Sequence, residues 1–431
     1  MKKFEGKKLL VLGTNVGSTD IVKYARGEGA KVYVADFNSP AKSEAKLHCD
    51  VPVLMSTADT EGLLGLVEKE QIDGVFAGVS EFNLLQAQLI SKISGLRFYC
   101  TREQWNAIED KSQFRKLCRY YGVPHPHTYY MGCADVFGCQ KITPPHWPCV
   151  VKPVDGSSSL GVSICTTPEN FDPAVRLAID NSASKQIIVE DYFVGDEFAA
   201  HYTIVNGKAV LSSIDNRYPV AVHEGKVTTI PIARVYPSSF LEEYSRQVND
   251  SVILLCNSLH LEVGVLFVQG LYNKATNKFC IFEGGLRSAG EAPYRLIERV
   301  NGINYMHHFI DYLLLGEVKG YNPVREDPTF GGHNCCVLSF VSKGGRVGSI
   351  NGLEETVATL PSIIDHECRY PVGSDTPYGD TLRQIMLRFV LDCPSKEQLA
   401  QDINYINNHV TVLKEDGTPL CLTFDSARLF E

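Results

Sequence analysis

A lysine beside a glycine- and serine-rich turn is the stretch of this sequence with the clearest chemical meaning. Residues 149–163 read Cys-Val-Val-Lys-Pro-Val-Asp-Gly-Ser-Ser-Ser-Leu-Gly-Val-Ser, so Lys152 ends an apolar run and a polar turn spans Asp155 to Gly161. The flanking apolar residues predict a hairpin with a flexible tip. Backbone N–H groups and hydroxyls can surround phosphate oxygens there, and the ammonium group offsets their charge. A plain solvent-exposed hairpin is the alternative.

The loop differs from the best-known phosphate-binding loop. No Gly-Lys-Ser/Thr follows Gly161, and the loop leads into a strand rather than a helix. It is therefore not a Walker A loop. Any phosphate bound here would be held by the hairpin and by charges contributed from other elements.

The composition limits the class of protein. With 431 residues the chain is long enough for about three domains of ~150 residues. Its 44% hydrophobic and 21% charged residues are typical of globular proteins, and a net charge of −9 argues against a nucleic-acid partner. No run of 18 apolar residues or signal-peptide pattern is present, so we expect neither a membrane span nor secretion.

The cysteines point to a reducing compartment. The 14 cysteines are scattered, many within apolar runs, and no C-x-x-C pair occurs. Buried free thiols in the cytoplasm are the expected state, rather than a zinc site or a disulfide framework.

Alternating strand and helix patterns at the N-terminus predict a βαβ domain. Residues 8–13 and 31–35 form apolar strands, and Asp36 follows the second one. Dinucleotide binding is one interpretation, but the turn at residues 13–17 reads Gly-Thr-Asn-Val-Gly and lacks the G-x-G-x-x-G pattern. Glu81 follows a further strand, at the edge where open α/β sheets bind ligands. Helix capping is the simpler role for this position.

Charged motifs follow the N-terminal domain in a fixed order. Asp110-Lys111 begins a helix, the Lys152 loop comes next, Glu190 and Glu197 flank a glycine-containing turn, and Glu283-Gly-Gly-Leu-Arg287 follows a predicted hairpin. Lysines and an arginine suit the charge of a transferred phosphoryl group, and carboxylates suit Mg²⁺. Together these residues predict phosphoryl-transfer chemistry.

In this order the motifs resemble the ATP-grasp superfamily of carboxylate–amine ligases over nearly the whole chain. Residues 152–163 look like the phosphate loop of bacterial L-amino acid ligases and, more distantly, of D-alanine–D-alanine ligase. The implied fold is α/β ATP-grasp with an N-terminal Rossmann-like domain at 1–110, linker helices and a lid subdomain at 111–195, a central domain at 196–330, and a C-terminal α+β, β-rich extension at 331–431. In the last region we expect short strands and a final helix.

The resemblance also implies residue roles. Arg287 and Lys152 match catalytic residues, with Arg287 steadying an acyl phosphate and the tetrahedral species formed from it. Glu283 matches a carboxylate that binds magnesium, with manganese as an alternative ion. The residues that match ATP contacts, from phosphate to adenine and ribose, are Lys111, Lys152, Gly156, Ser157, Ser158, Ser159, Gly161, Glu190, Asp191, Phe193 and Glu197.

The metal motif departs from the family pattern. The usual pattern is Glu-x-Asn-x-Arg with another acid on the preceding strand, whereas here Gly285 replaces the asparagine and Gln269 stands at the position of the acid. Neither is a good Mg²⁺ ligand. One well-bound metal, recruitment of another acid such as Glu262 or Glu291, and weak metal binding all remain open.

The implied activity is ATP-dependent amide formation between a carboxylate and an amine, with amino acids as both small-molecule substrates. A homodimer is an assembly that the resemblance allows. Two alternatives remain: a carboxylase or carbamoyl-phosphate-type enzyme that uses bicarbonate, and a nucleotide-binding protein without turnover. Four polar residues lie in the segment where such enzymes line the substrate pocket: His201, Arg217, His223 and Arg234. The alternative for each of them is a role as an ordinary core or surface residue.

Overall fold

The N-terminal unit is a parallel sheet with helices around it. The structure, a computed structural model, describes residues 2–133, 146–156, 160–220, 222, 230–379 and 381–431. Three of its strands, at residues 8–12, 31–36 and 74–77, consist mainly of buried apolar residues, as expected when helices cover a parallel sheet, whereas the edge strand at residues 51–54 is partly exposed. Strand order is β3-β2-β1-β4. The elements are β1 Lys8–Leu12, α1 Ser18–Gly27, β2 Lys31–Asp36, α2 Glu44–His48, β3 Val51–Leu54, α3 Thr60–Glu70, β4 Gly74–Ala77 and α4 Glu81–Ile93.

Two helices connect this unit to the rest of the chain. They are α5 Arg102–Glu109 and α6 Lys111–Tyr121. Asp110 lies between them and caps α6, because its carboxylate accepts hydrogen bonds from the N–H groups of Ser112 at 2.8 Å and Gln113 at 3.0 Å. The cap fixes the first turn of α6, and therefore Lys111 in it.

A small antiparallel sheet follows and has its own core. The strand order is β5-β8-β6-β7, and the helix at residues 171–180 packs on β6. Alternate residues of β6, Cys149 and Val151, enter that core with Phe171 of the helix. The elements are β5 Thr128–Cys133, β6 Cys149–Pro153, β7 Ser163–Cys165, α7 Phe171–Asp180 and β8 Gln186–Asp191.

The central part of the chain forms half of a large antiparallel sheet. Its strands and helices are β9 Asp196–Val205, β10 Lys208–Val220, β11 Ile230–Tyr236, α8 Leu241–Tyr244, α9 Asp250–Ser258, β12 Val263–Asn273, β13 Lys278–Gly285, α10 Tyr294–Asn301 and α11 Tyr305–Leu315. Their apolar faces share one core with the N-terminal unit. The two units are therefore packed together rather than linked by a free hinge.

The C-terminal part adds strands to the same sheet and forms a separate three-stranded sheet from residues 345–351, 375–376 and 411–414. Its elements are β14 Asn334–Ser342, β15 Gly345–Asn351, α12 Leu353–Thr359, β16 Ile363–Cys368, β17 Asp375–Thr376, β18 Ile385–Cys393, α13 Lys396–His409, β19 Thr411–Lys414 and β20 Cys421–Leu422. The sheet order is β13-β12-β9-β10-β11-β14-β18-β16, with β20 beside β14. The expectation of short strands is wrong for β14 and β18, which have nine residues each because they are interior strands of this sheet.

Two further observations concern the whole described chain. None of the described helices combines the length and apolar character needed to cross a membrane. The described cysteines are free thiols, most of them buried. The buried thiols agree with the sequence-based expectation.

Candidate functional site

A cleft of about 570 Å³ opens where the three parts of the chain meet. The N-terminal unit contributes Glu81, α5 contributes Glu109, and the central sheet contributes Gln269, Glu283 and Arg287. The phosphate loop reaches it through Gly156, and β18 reaches it through Arg388. Residues separated by more than 300 positions therefore face one cavity.

The two lysines predicted to hold phosphates lie together at one end of the site. Lys111 Nζ donates to the carbonyl oxygen of Gly156 at 2.6 Å and lies 3.4 Å from Glu283 Oε1. Lys152 Nζ lies 2.7 Å from Glu190 Oε2. Both side chains are buried. Burial, with the nearby charges of Arg115 and Lys111, lowers the pKa of Lys152, although Glu190 opposes the shift.

Glu190 is the buried anchor of this end. Arg115 binds both of its oxygens, through Nε to Oε1 and through an Nη at 3.2 Å to Oε2. Burial opposes ionisation, but Lys152 and Arg115 outweigh it and lower the pKa of Glu190 to about 2. Its carboxylate therefore orients Lys152. The predicted contact of Glu190 with the adenine amino group stays a prediction.

The described ends of the phosphate loop are held tightly. Asp155 accepts hydrogen bonds from Ser182 Oγ at 2.7 Å and from the N–H of Ser184 at 2.8 Å. Gly161 has a φ of +74°, and a Cβ there would approach Asn181 Cβ at 2.8 Å, so only glycine fits. The predicted ligands Ser157, Ser158 and Ser159, and also His223, lie outside the described residues.

The residues predicted to meet adenine and ribose lie beyond the lysines. The backbone N–H of Asp191 donates to the carbonyl oxygen of His127 at 2.9 Å, and the hydroxyl of Tyr129 donates to the Asp191 carboxylate. The Phe193 side chain is partly exposed. Glu197 pairs with Arg217 and lines a neighbouring cavity of about 660 Å³. The structure does not bring Glu197 into the first cleft. Arg217 lines both cavities.

The metal motif is in the expected register. Gln269 lies directly opposite Glu283 in the β12–β13 ladder, so both side chains reach the same face of the sheet. Lys111 and Lys152 outweigh the effect of burial and lower the pKa of Glu283. The Glu283 side chain is 34% exposed and lines the cleft, where it could bind an ion.

These donors fit one magnesium ion better than two. In the described ranges no group of three or more His, Cys, Asp and Glu side chains could hold a metal. Glu283 and the amide oxygen of Gln269 would supply two oxygens, and Mg²⁺ commonly completes its shell with water and substrate phosphates. Such an ion would offset phosphate charge.

An aromatic ring occupies the place of the missing asparagine. Phe267 lies opposite Gly285 in the ladder, and a Cβ at Gly285 would overlap the Phe267 ring. The same ring lies 5.2 Å from the Arg287 guanidinium carbon, a cation–π contact. Phe267 therefore excludes a side chain at 285 and supports Arg287 instead.

We expect Gly285→Asn to lower the free energy of unfolding by about 1–3 kcal/mol, because overpacking a filled site costs that much. In the Phe267→Ala background the added cost should be much smaller, since the two positions share one space. Urea denaturation of the four proteins in this cycle measures the coupling. Gly65→Asn is the control, because no described atom lies within 4 Å of a Cβ there. Additive costs would contradict the steric account.

Arg287 lies at the other end of the cleft, between the N-terminal unit and the central sheet. One Nη lies 2.6 Å from Glu81 Oε1, and the other donates to the carbonyl oxygen of Ser288 at 3.1 Å. Burial opposes the charge of Arg287, but Glu109 and Glu81 outweigh it and raise its pKa. Glu81, at the end of a strand, thus lines the cleft, and ligand binding at this edge stays a prediction.

Sequence reasoning missed Glu109. Its Oε1 accepts the N–H of Leu286 at 2.9 Å, which aims the carboxyl into the cleft next to Arg287. Burial raises its pKa to about 7, although Arg287 opposes the shift. The only local signal was its position directly before Asp110-Lys111.

A buried polar chain supports the floor of the cleft. The Arg234 guanidinium lies 2.9 Å from the carboxylate of Asp215 and 2.6 Å from that of Glu291. The Asp215 side chain is fully buried, and the Glu291 side chain is mostly buried. His201 lies 3.9 Å from Asp215. Arg234 outweighs burial and lowers the pKa of Glu291. Of the four tentative pocket residues, Arg217 therefore lines the cleft, while Arg234 and His201 lie beneath it.

The fold is an α/β architecture in which the cleft is bordered by the N-terminal unit, the small antiparallel sheet and the large antiparallel sheet. Residues 145–290 match the sequence model of the ATP-grasp domain. This part of the chain is therefore an ATP-grasp domain, as its motifs predicted.

Comparison with known proteins agrees with this placement. The formate-dependent phosphoribosylglycinamide formyltransferase of Synechococcus sp. (strain CC9902) is 27% identical over 201 residues, which are 44% of this chain and 48% of that protein. The chain thus spans about half the length of that relative. The carbamoyl phosphate synthase large chain of Vibrio vulnificus is 22% identical over 273 residues, 61% of this chain and 25% of that protein.

The fold extends over nearly the whole chain. The L-amino acid ligase from Bacillus licheniformis superposes with a TM-score of 0.74 at 17% identity, covering 95% of this chain and 99% of that one. The fold is therefore ATP-grasp throughout, including the C-terminal strands.

Proposed function

We propose that this protein is an ATP-dependent carboxylate–amine ligase that forms an amide through an acyl phosphate. The grouping of charges at the cleft carries the proposal: Glu283 and Arg287 line it, and Lys111 and Lys152 lie buried behind Glu283, with Lys111 Nζ 3.4 Å from its carboxylate. Cations surround the place of a transferred phosphoryl group, and a carboxylate is available for the magnesium that accompanies it.

Activation and amide formation follow from this arrangement. Bound MgATP would supply the phosphoryl group and offset its charge. The substrate carboxylate takes the γ-phosphoryl group, and the bond to the β-phosphate oxygen breaks to release ADP. The amine then attacks the carbonyl carbon, phosphate leaves, and the nitrogen loses a proton. Phosphorylation turns a poor leaving group into a good one, so the second step depends chiefly on positioning.

Each charged residue has a distinct task in this scheme. Lys111 and Lys152 hold phosphate oxygens at the lid end, and Glu190 keeps Lys152 in place. Arg287 stabilises the acyl phosphate and the oxyanion that forms when the amine adds. The phosphate loop, with its fixed ends at Asp155 and Gly161, limits access of water to the acyl phosphate.

Amino acids are the proposed substrates on both sides. The resemblance of the phosphate loop to L-amino acid ligases and the similar fold of such a ligase support this assignment. The same fold also occurs in biotin carboxylase from Campylobacter jejuni, with a TM-score of 0.74 at 13% identity. Fold alone therefore does not distinguish an amine from bicarbonate, and the assay must do so.

We expect phosphate release from MgATP that requires one particular pair of amino acids. The assay screens amino acids singly and in pairs, and then with bicarbonate alone. Lys152→Ala and Glu283→Ala should each lower the rate at least about 100-fold, because each removes a charge at the transferred phosphoryl group.

The outcomes separate the candidate functions. Release with bicarbonate and no amino acid would favour a carboxylase-type reaction. Stabilisation of the protein against heat by ATP, without any phosphate release, would favour a nucleotide-binding protein. The replacement of the metal-motif asparagine by Gly285 would then be the first candidate cause of the missing activity.

A further inference from the structure

The cleft is lined by opposite charges along its length. Glu81 and Glu109 line it from the N-terminal unit and α5, next to Arg287. Arg369 and Arg388 line it from the C-terminal part of the chain. The phosphoryl chemistry proposed above uses Arg287 but neither Arg369 nor Arg388.

Arg388 is a buried cation with too few partners. It lies in the interior strand β18 and is only 7% exposed. One Nη donates to the carbonyl oxygen of Gly290 at 3.2 Å and lies 3.9 Å from Glu367. Its Nε has no partner within the described part of the chain. Burial and the adjacent charge of Arg369 lower the pKa of Arg388 to about 10, so the site favours an added anion.

The carboxylate nearest to Arg388 is already shared. Arg369 Nε lies 3.1 Å from Glu367 Oε2, the same oxygen that faces Arg388 at 3.9 Å. One carboxylate therefore serves two guanidinium groups. A buried arginine with an unused N–H next to a second arginine is a suitable receptor for a carboxylate, which takes two parallel N–H donors.

The distance from this pair to the reaction centre suits a small substrate. Arg287 contacts Glu81, and three residues later the carbonyl of Gly290 contacts Arg388. Three residues span at most about 10 Å of main chain, and both arginine side chains line the same cleft. A molecule of amino-acid size can therefore place an amine near Arg287 and its acidic neighbours while a carboxylate meets Arg388.

We propose that Arg388, assisted by Arg369, binds the free carboxylate of the amine substrate and so selects α-amino acids over amines without a carboxylate. This inference rests on the proposed ligase function and names the class of its second substrate. Glu81 and Glu109 face the opposite, ammonium-bearing end. The C-terminal part of the chain then determines which acceptor is used.

The test compares each amino acid that serves as the amine substrate with its carboxamide, which lacks the negative charge. The wild-type protein should use the free acid with a kcat/KM at least about tenfold above that of the carboxamide. Arg388→Gln should lower kcat/KM for the free acid about 10- to 100-fold and leave that for the carboxamide within about twofold. Arg369→Gln, at a less buried position, should give the same pattern more weakly. It also guards against a folding defect in the first variant.

The controls distinguish this inference from the ligase proposal. Arg346→Gln removes an exposed arginine outside the cleft and should change neither substrate. Equal losses for acid and carboxamide, or an unchanged preference in Arg388→Gln, would overturn the subsite. If no pair gives turnover, calorimetry of the proteinogenic amino acids and their carboxamides with saturating ADP replaces the assay. Preferential binding of the free amino acid that is lost in Arg388→Gln would support the subsite and contradict the ligase proposal. The absence of any binding would contradict both proposals.

Discussion

Replacing Arg287 with lysine is expected to lower kcat about 100- to 1,000-fold while the KM for ATP changes little. Lysine keeps the charge but cannot point one N–H group at Glu81 and another at Ser288 while stacking on Phe267. The lost interaction is with charge that develops as the amine adds, so it is felt in kcat. Steady-state kinetics with the identified substrate pair measures the change.

The control for this variant is Arg299→Lys. Arg299 pairs with Asp392 at the protein surface, far from the cleft lining, and its replacement should leave kcat unchanged. A kcat for Arg287→Lys within about threefold of wild type would contradict the assigned role. A parallel rise in the KM for ATP would instead place Arg287 at the nucleotide.

Glu190→Gln is expected to be the most destabilising single change in the lid region, by about 3–5 kcal/mol. The amide leaves two buried cations, Arg115 and Lys152, without their counter-charge, and breaking a buried pair in this way costs about that much. Lys152 should also lose its fixed position, so ATP binding weakens. Denaturant unfolding and nucleotide titration measure the two effects.

Acid pH provides an independent check on Glu190. Its pKa of about 2 in the folded protein lies below its ordinary value of 4.5. The stabilisation by the ionised group is therefore complete above pH 4.5 and is lost as pH falls towards 2. Over this range the wild-type stability should fall more steeply than that of Glu190→Gln. Asp180→Asn, at an exposed position of the same subdomain, should behave like wild type.

The residues that sequence reasoning found are those fixed by short-range rules. Lys152 ends a strand, Lys111 begins a capped helix, and Glu283 precedes Arg287 by a set spacing, so motif order predicted their convergence. The ladder also places Gln269 opposite Glu283, on the same face of the sheet. Local elements and strand register carry this information, and both can be read from the chain.

The residues it missed depend on long-range contacts. Glu109 is aimed by the N–H of Leu286, which is 177 positions away, and the filling of the space at Gly285 depends on an aromatic ring of the neighbouring strand. Glu197 lines the neighbouring cavity rather than the first cleft, and its contact with ribose stays a prediction. Arg388 did leave a signal, since a charged residue within an apolar strand needs a partner or a ligand.

The ion pair between Glu81 and Arg287 affects how tightly substrate can bind. Without substrate the guanidinium already has an anion at 2.6 Å, so in the proposed reaction a substrate carboxylate that binds there exchanges one partner for another and gains little affinity. The full strength of Arg287 is then expressed only when charge builds up on the reacting oxygen. Such a site has a high KM and a high kcat, because in the resting protein the Glu81 carboxylate occupies the position at Arg287 that a substrate anion would take.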